Sequence, residues 1–184
     1  MGFHTFDSER AGKLESEDRY RWCSGEELLA HVAPHETATV ADLGSGTGFY
    51  TDIVAPHAET VYAVDVQAEM HEYYRRKGVP SNVKLVTAAV EELPFDRNGL
   101  DSAFSTMTYH EFSGEESMRE LARVIRPGGR LVTVDWSRNG DNAAGPPLDE
   151  RHELSHLVSA VRDAGFTVEF AATRTETFVC RAIR

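Results

Sequence analysis

Seven short runs rich in β-branched and aromatic residues recur along the chain, and helix-like patterns fill most of the gaps between them. Strands that alternate with helices form βαβ units, in which the strands run parallel and the helices cover the sheet. The sequence therefore predicts a doubly wound, mainly parallel α/β sheet, with strands at 39–43, 60–65, 83–88, 102–107, 130–135, 167–172 and 177–182.

Three of the gaps carry apolar residues at helical spacing, which predicts helices over 67–77, 115–125 and 150–164. The first and the third stop at a glycine, Gly78 and Gly165, a common residue after a helix end. The last two strands are separated only by "TRTE", which is too short for a crossover helix. That pair is therefore predicted to be an antiparallel hairpin.

A length of 184 residues suits a single domain over 1–184. Residues 1–36 are rich in charge and predict one or two helices that form a cap or lid over a core of residues 37–184. The chain shows no run of about 18 apolar residues and no apolar leader at its start, so we expect neither secretion nor membrane insertion.

The net charge of −11 argues against a nucleic-acid partner, because binding to phosphates needs positive charge. The chain has three lysines against sixteen arginines and thirty acids, a composition typical of salt-loving organisms, although an acidic mesophilic protein can share it. Its two cysteines, Cys23 and Cys180, match no metal-ligand spacing. We therefore expect no metal site and a reducing, cytoplasmic compartment.

The first predicted strand leads into "ADLGSGTGFY" at 41–50, in which glycines occupy alternate positions before a helix begins. A phosphate-binding P-loop ends in Gly-Lys-Ser or Gly-Lys-Thr, and this loop has neither. A dinucleotide-binding loop needs a further glycine where Phe49 stands. The loop therefore predicts a ligand that is not recognised through phosphate.

Two acidic residues indicate which chemical groups that ligand carries. Asp42 precedes the glycines and suits a cationic group, such as an ammonium or a sulfonium centre. Asp65 ends the second predicted strand, where a carboxylate can accept two hydrogen bonds from a ribose diol. A ribose with a cationic amino-acid tail and no phosphate describes S-adenosylmethionine.

Five motifs in order and spacing extend this interpretation: "VADLGSGTG", "VYAVDVQAEM", "AAVEELPF", "LDSAFSTMTYHEF" and "RVIRPGGRLVTVDW". Together they resemble class I S-adenosylmethionine-dependent methyltransferases, above all the type 11, ubiquinone/menaquinone methyltransferase-like group. The resemblance covers residues 37–136 well and the rest more loosely. It implies a Rossmann-like, seven-stranded sheet whose last strand is antiparallel, with helices on both faces.

The resemblance also implies roles for individual residues. Asp42 would serve the ammonium end of S-adenosylmethionine, the glycine loop its methionyl part, Asp65 the ribose, and Val66 and Met70 the adenine, although Met70 suits a helix core as well. The implied cofactor-binding residues are Asp42, Gly44, Ser45, Gly46, Gly48, Asp65, Val66, Met70, Ala89, Val90, Thr106 and Met107.

One motif departs from the family pattern. The family usually has Gly-Asp-Ala where this chain has Ala88-Ala89-Val90, and the aspartate accepts a hydrogen bond from the adenine amino group. Ala89 cannot do so, which leaves adenine recognition to backbone groups or to Glu91. A neutral hydrogen bond contributes about 0.5–1.5 kcal/mol, so we expect weaker cofactor binding rather than none.

The acceptor side rests on residues that follow the fourth and fifth strands. His110 matches a histidine common in the group and is the candidate catalytic base, with a structural role as the alternative. The other candidates for the substrate pocket or lid are Tyr20, Trp22, Tyr109, Asp135 and Trp136.

The predicted function is methyl transfer from S-adenosylmethionine to a small-molecule acceptor, with S-adenosylhomocysteine as the product. The alternative is a degenerate protein that binds S-adenosylmethionine or S-adenosylhomocysteine without turnover, which would account for Ala89. We expect no nucleic-acid partner, and a homodimer is one candidate assembly.

Overall fold

Seven strands form the centre of the fold in the computed structural model, which describes residues 8–184. They are β1 (Thr39–Leu43), β2 (Thr60–Asp65), β3 (Val83–Thr87), β4 (Leu100–Thr106), β5 (Ile125–Trp136), β6 (Thr167–Thr173) and β7 (Thr177–Ile183). The order across the sheet is β3-β2-β1-β4-β5-β7-β6. Strand β7 runs antiparallel to both its neighbours, and the other neighbouring pairs are parallel. The predicted doubly wound sheet and its antiparallel last strand are confirmed.

One α-helix precedes β1, and the others lie between successive strands. The α-helices are α1 (Gly25–Val32), α2 (Thr51–Val54), α3 (Ala68–Lys77), α4 (Glu115–Val124) and α5 (Leu154–Asp163). Helix α3 ends at Gly78, whose φ of 105° few other residues adopt, and its last turn is basic, which favours a helix carboxyl end. Helix α4 buries Met118 and Leu121 on the face that its spacing predicts.

The segment before β1 was predicted to contain one or two helices. It contains two 3₁₀ turns, Ser8–Glu15 and Glu17–Arg21, followed by α1. Ser24 caps α1 by accepting a hydrogen bond from the Glu27 N–H at 3.2 Å. The division into a cap (1–36) and a core (37–184) stays a prediction, and residues 1–7 lie outside the described part.

Helix α5 begins later than its predicted start at 150, because the chain turns inward before it. The Arg151 side chain is fully buried and forms an ion pair with Glu176 at 3.1 Å. Its guanidinium also donates to Pro146 O at 2.8 Å and to Asn142 Oδ1 at 3.2 Å. A buried arginine with this many partners holds the loop between β5 and α5 against the sheet.

The core lies on both faces of the sheet. Side chains alternate between faces along a strand, so Val40 packs with α1 and α2 on one side while Ala41 packs with α4 and α5 on the other. Leu28 and Leu121 are fully buried in these two layers. Burying a leucine side chain stabilises a fold by about 1.5–3 kcal/mol.

None of the helices within residues 8–184 combines the length and the apolar character needed to cross a lipid bilayer.

Two glycines provide a test of how the glycine loop packs. Gly48 has φ +83°, and a Cβ there would lie 2.1 Å from Cε1 of the buried Tyr74 ring, whereas a Cβ on Gly78 (φ +105°) meets nothing within 4 Å. Gly78→Ala should therefore add only backbone strain, about 1–2 kcal/mol. Gly48→Ala adds a core overlap and should destabilise by about 3 kcal/mol or more. Urea unfolding measures both, and equal losses would contradict this packing.

Candidate functional site

The glycine loop is fixed to the neighbouring strand by its own backbone. The N–H groups of Gly44 and Ser45 both donate to Val64 O at 2.9 Å. Gly44 has φ +72°, and a Cβ there would lie 2.3 Å from the Thr108 methyl carbon, so the segment after β4 closes tightly onto the loop. The loop and the ends of β2 and β4 therefore form one surface at the carboxyl edge of the sheet, where ligands of α/β proteins bind.

Asp65 is held at the end of β2 by two backbone donors. Its Oδ2 accepts the Gly46 N–H at 2.8 Å, and its Oδ1 accepts the Gln67 N–H at 2.9 Å. Burial raises the pKa of this carboxyl, and these hydrogen bonds act in the opposite direction. A carboxylate oxygen has two lone pairs, so each oxygen can still accept a hydroxyl. The arrangement suits a diol that lies across the cleft.

Asp42 is a buried acid, 1% exposed, whose carboxylate is only half satisfied. Its Oδ2 accepts the Thr51 hydroxyl at 2.7 Å, and its Oδ1 has no hydrogen-bond partner within the described residues. Burial raises the pKa of Asp42 to about 7. A cation placed beside Oδ1 would both satisfy that oxygen and favour the ionised form.

A cleft opens between β2, the segment after β3 and the segment after β4. Of the predicted cofactor residues it includes Gly44, Asp65, Val66 and Val90. Met70 does not line it and is buried in α3 at 2% exposure. The full lining is Gly44, Val64, Asp65, Val66, Ala88, Val90, Glu91, Thr108, Glu111 and Phe112.

The sequence pattern did not single out Thr108 or Phe112, and it left Glu111 without an assigned role. Glu111 lines the cleft, and burial raises its pKa to about 7. Glu91 also lines it, and its carboxylate accepts the Ser117 hydroxyl at 2.8 Å. Because Ala89 replaces the family's aspartate, Glu91 is a side chain that can accept a hydrogen bond near the predicted adenine position. The sequence could have indicated these residues by their position, because they follow the carboxyl ends of β3 and β4.

Thr106 ends β4 beside β5, and Met107 directly follows it. The Met107 N–H donates to Val134 O at 2.7 Å, and Met107 has φ 58°, an uncommon backbone conformation for a non-glycine residue. Such strained positions concentrate at binding sites.

His110 and Asp135 form a buried pair. The His110 Nδ1 lies 3.0 Å from both Asp135 oxygens, and the His110 backbone N–H donates to Asp135 Oδ2 at 2.7 Å. Burial by itself lowers the pKa of His110, but the Asp135 carboxylate outweighs it, so the pKa lies above its ordinary value. With Nδ1 turned to the carboxylate, Nε2 is the ring nitrogen left to exchange a proton.

The remaining candidates for the pocket or lid divide into two groups. Tyr109 is fully buried in the core, and its hydroxyl meets His156 Nδ1 at 3.1 Å. The rings of Trp22 and Trp136 meet at 5.2 Å, and those of Tyr20 and Phe49 at 5.1 Å. Tyr20 and Trp22 of the N-terminal segment therefore lie against Phe49 and Trp136, whereas Tyr109 is a core residue that does not line the cleft.

Among the side chains of residues 11–184, no group of three or more histidines, cysteines, aspartates or glutamates is arranged to hold a metal ion. Cys23 and Cys180 are both free and buried.

Comparison with known proteins matches a family described as "Methyltransferase domain" to residues 41–133, half of the chain. An uncharacterized methyltransferase-like protein of Schizosaccharomyces pombe is 33% identical over 121 residues, which cover 65% of this chain and 44% of that protein. The chain spans less than half the length of the curated relatives that it matches first.

The fold is shared with solved structures. A SAM-dependent methyltransferase from Aquifex aeolicus has a TM-score of 0.87 at 29% identity, with 97% of this chain and 99% of that chain covered. A complex of the Haloferax volcanii Trm112 methyltransferase activator with a methyltransferase gives 0.81 at 20% identity, covering 96% and 93%. At this identity, the similarity to the Haloferax volcanii structure shows a shared fold.

The His110–Asp135 pair predicts a measurable titration. Asp135→Asn removes the charge but keeps the burial, so the pKa of His110 should fall below its wild-type value. Because the wild-type pKa is raised, the pair stabilises the fold fully below about pH 6.5, and this contribution is lost as the pH rises through the raised pKa. NMR titration of the imidazole measures the shift. Glu111→Gln, a weaker neighbour, should move it less, and an unchanged pKa in Asp135→Asn would refute the pair.

Proposed function

The chain belongs to the methyltransferase domain family, whose cofactor is S-adenosylmethionine, and from this premise we propose that it methylates a small-molecule acceptor. One observation carries the proposal beyond family membership. Two acids of different character, Asp42 and Asp65, stand on either side of one glycine loop at the carboxyl edge of the sheet. A ligand that joins a cation to a ribose fits both.

The residues present fit this cofactor. The unpartnered Oδ1 of Asp42 would accept from its ammonium group, and Asp65, with two oxygens that each retain a lone pair, would accept from its ribose. Val66 is 45% exposed beside the cleft, where an apolar surface can cover adenine. Glu91 or the backbone of Ala89 and Val90 would take the adenine amino group in place of the family's aspartate.

Bound S-adenosylmethionine supplies a methyl group that its positive sulfur activates for displacement. The protein's part is to align the acceptor nucleophile with that group and to exclude water. We assign the proton of the acceptor to His110 Nε2, with Asp135 holding the imidazole through Nδ1. Asp135 is thus a positioning residue.

A small acceptor is supported by charge. The net charge of −11 disfavours nucleic acids, because binding to phosphates needs positive charge. The partly exposed Trp22 contacts the buried Trp136 at the end of β5 and offers aromatic surface there.

The setting of the protein remains part of the proposal. Two free cysteines fit a reducing cytoplasm, and the lysine-poor, acidic composition fits a salt-rich one. A homodimer and a complex with an activator, as in the Haloferax volcanii relative, are the assemblies to be examined by light scattering.

The experiment that tests the function is transfer of a labelled methyl group from S-adenosylmethionine to small molecules of a metabolite extract. A labelled product supports the enzyme. Tight binding of S-adenosylhomocysteine with no labelled product supports binding without turnover instead. Tight binding of NAD would contradict the cofactor assignment.

A matched pair of aspartates tests the ribose contact. Asp65→Ala should weaken S-adenosylhomocysteine binding more than tenfold, because hydrogen bonds to a charged acceptor contribute about 1.5–3 kcal/mol each. Asp101→Ala is the control, since Asp101 also holds a backbone N–H, that of Thr39 at 2.7 Å, but at the start of β4. It should lower stability and leave the affinity unchanged. Calorimetry measures both, and equal affinity for wild type and Asp65→Ala would refute the ribose role.

A further inference from the structure

Arg19 reaches the glycine loop from the N-terminal segment. It belongs to the 3₁₀ turn Glu17–Arg21, and its guanidinium carbon lies 5.1 Å from the Phe49 ring centroid and 5.0 Å from that of Tyr50. The Tyr50 hydroxyl donates to Arg19 O at 3.1 Å, which fixes the backbone of the turn over these rings. The side chain is thus stacked on the residues that directly follow the loop.

Arg19 has no carboxylate in direct contact among the side chains described, residues 11–184, although Asp42 and Glu15 act on it electrostatically. Its Nη1 donates to Leu14 O at 2.9 Å, its Nη2 lies 3.9 Å from Met107 Sδ, and it forms no ion pair with these residues. Burial lowers its pKa, which means that the cation is poorly solvated. A cation in this position is stabilised by an anion that approaches it.

Asp42 stands as the opposite charge near the same loop. It acts electrostatically on Arg19 without contacting it, and its Oδ1 is unpartnered. A buried acceptor and a cation without an ion pair thus lie by the same loop, and Arg19 also reaches Met107, which directly follows β4. An α-amino acid carries an ammonium and a carboxylate on a single carbon, and so complements both groups at once.

We propose that Arg19 binds the α-carboxylate of the cofactor's methionyl tail while Asp42 binds its ammonium group. This assignment rests on the proposed function and adds a residue that no motif of the sequence suggested. It also assigns the N-terminal segment a role in cofactor binding. Leu14 lies against Gly46, and Glu15 accepts a hydrogen bond from the Thr47 hydroxyl. The carboxylate contact of Arg19 would hold this segment over the loop when the cofactor is bound.

Calorimetry with two ligands tests the contact. One ligand is S-adenosylhomocysteine and the other is its analogue that lacks the α-carboxylate. Wild type should bind the first about ten- to a hundredfold more tightly, the usual effect of a charged hydrogen-bonded pair. Arg19→Gln should lose most of this preference by weakening S-adenosylhomocysteine alone, and Arg19→Lys should restore part of it. Arg21→Gln, an exposed neighbour on the same turn, is the matched control and should behave as wild type.

Three results would overturn the assignment. Wild type that binds both ligands equally has no carboxylate contact, whatever the variants do. An Arg19→Gln protein that weakens both ligands to the same extent shows a structural role only, and one that keeps the wild-type preference shows none. In these cases the cofactor assignment of the proposed function stands, because wild type still binds S-adenosylhomocysteine. If wild type binds neither ligand, the proposed function itself fails and the assignment with it.

Discussion

The site depends on how the backbone donors of the glycine loop are used. Gly44 and Ser45 donate to Val64 O, Gly46 donates to Asp65, and Gly48 donates to Ser45 O. In a phosphate-binding loop such N–H groups converge on the ligand. Here four of these N–H groups donate to other groups of the protein. The loop therefore cannot surround a phosphate with backbone donors and must recognise its ligand through charge and shape. The exclusion of P-loop and dinucleotide chemistry, argued from a missing lysine and from Phe49, therefore has a structural counterpart.

The sheet could be predicted from the sequence because its signals are local. The strand runs and the four residues between the last two strands fix strand identity and the hairpin, and the observed β1 and β2 coincide with the predicted ranges. Strand β5 begins at Ile125 rather than 130, since pairing with β4 continues across a register shift that no local pattern encodes. The start of α5 was missed for a similar reason, because the inward turn of Arg151 depends on Glu176.

Long-range pairs explain what the sequence left open at the site. His110 and Asp135 are 25 residues apart, but Thr106 pairs with Val134 in parallel register, so the residues that follow these two along the chain meet. Their contact follows from the topology once the strand order is known. Arg19 is different, because its place over the glycine loop depends on how the N-terminal segment packs. Nothing in the local sequence separates it from the exposed Arg21 two positions later.

The electrostatics of the site also constrain the acceptor. Asp135 stabilises the protonated form of His110, which makes the neutral imidazole a stronger base than a free one. A hydroxyl or an amine, which has a proton to lose, benefits from such a base, and an acceptor already ionised does not. Asp65 and Glu111 both line the cleft beside this pair. For the methyl transfer proposed above, an anionic acceptor would be repelled by these two carboxylates, so their charges favour an acceptor that arrives neutral or cationic.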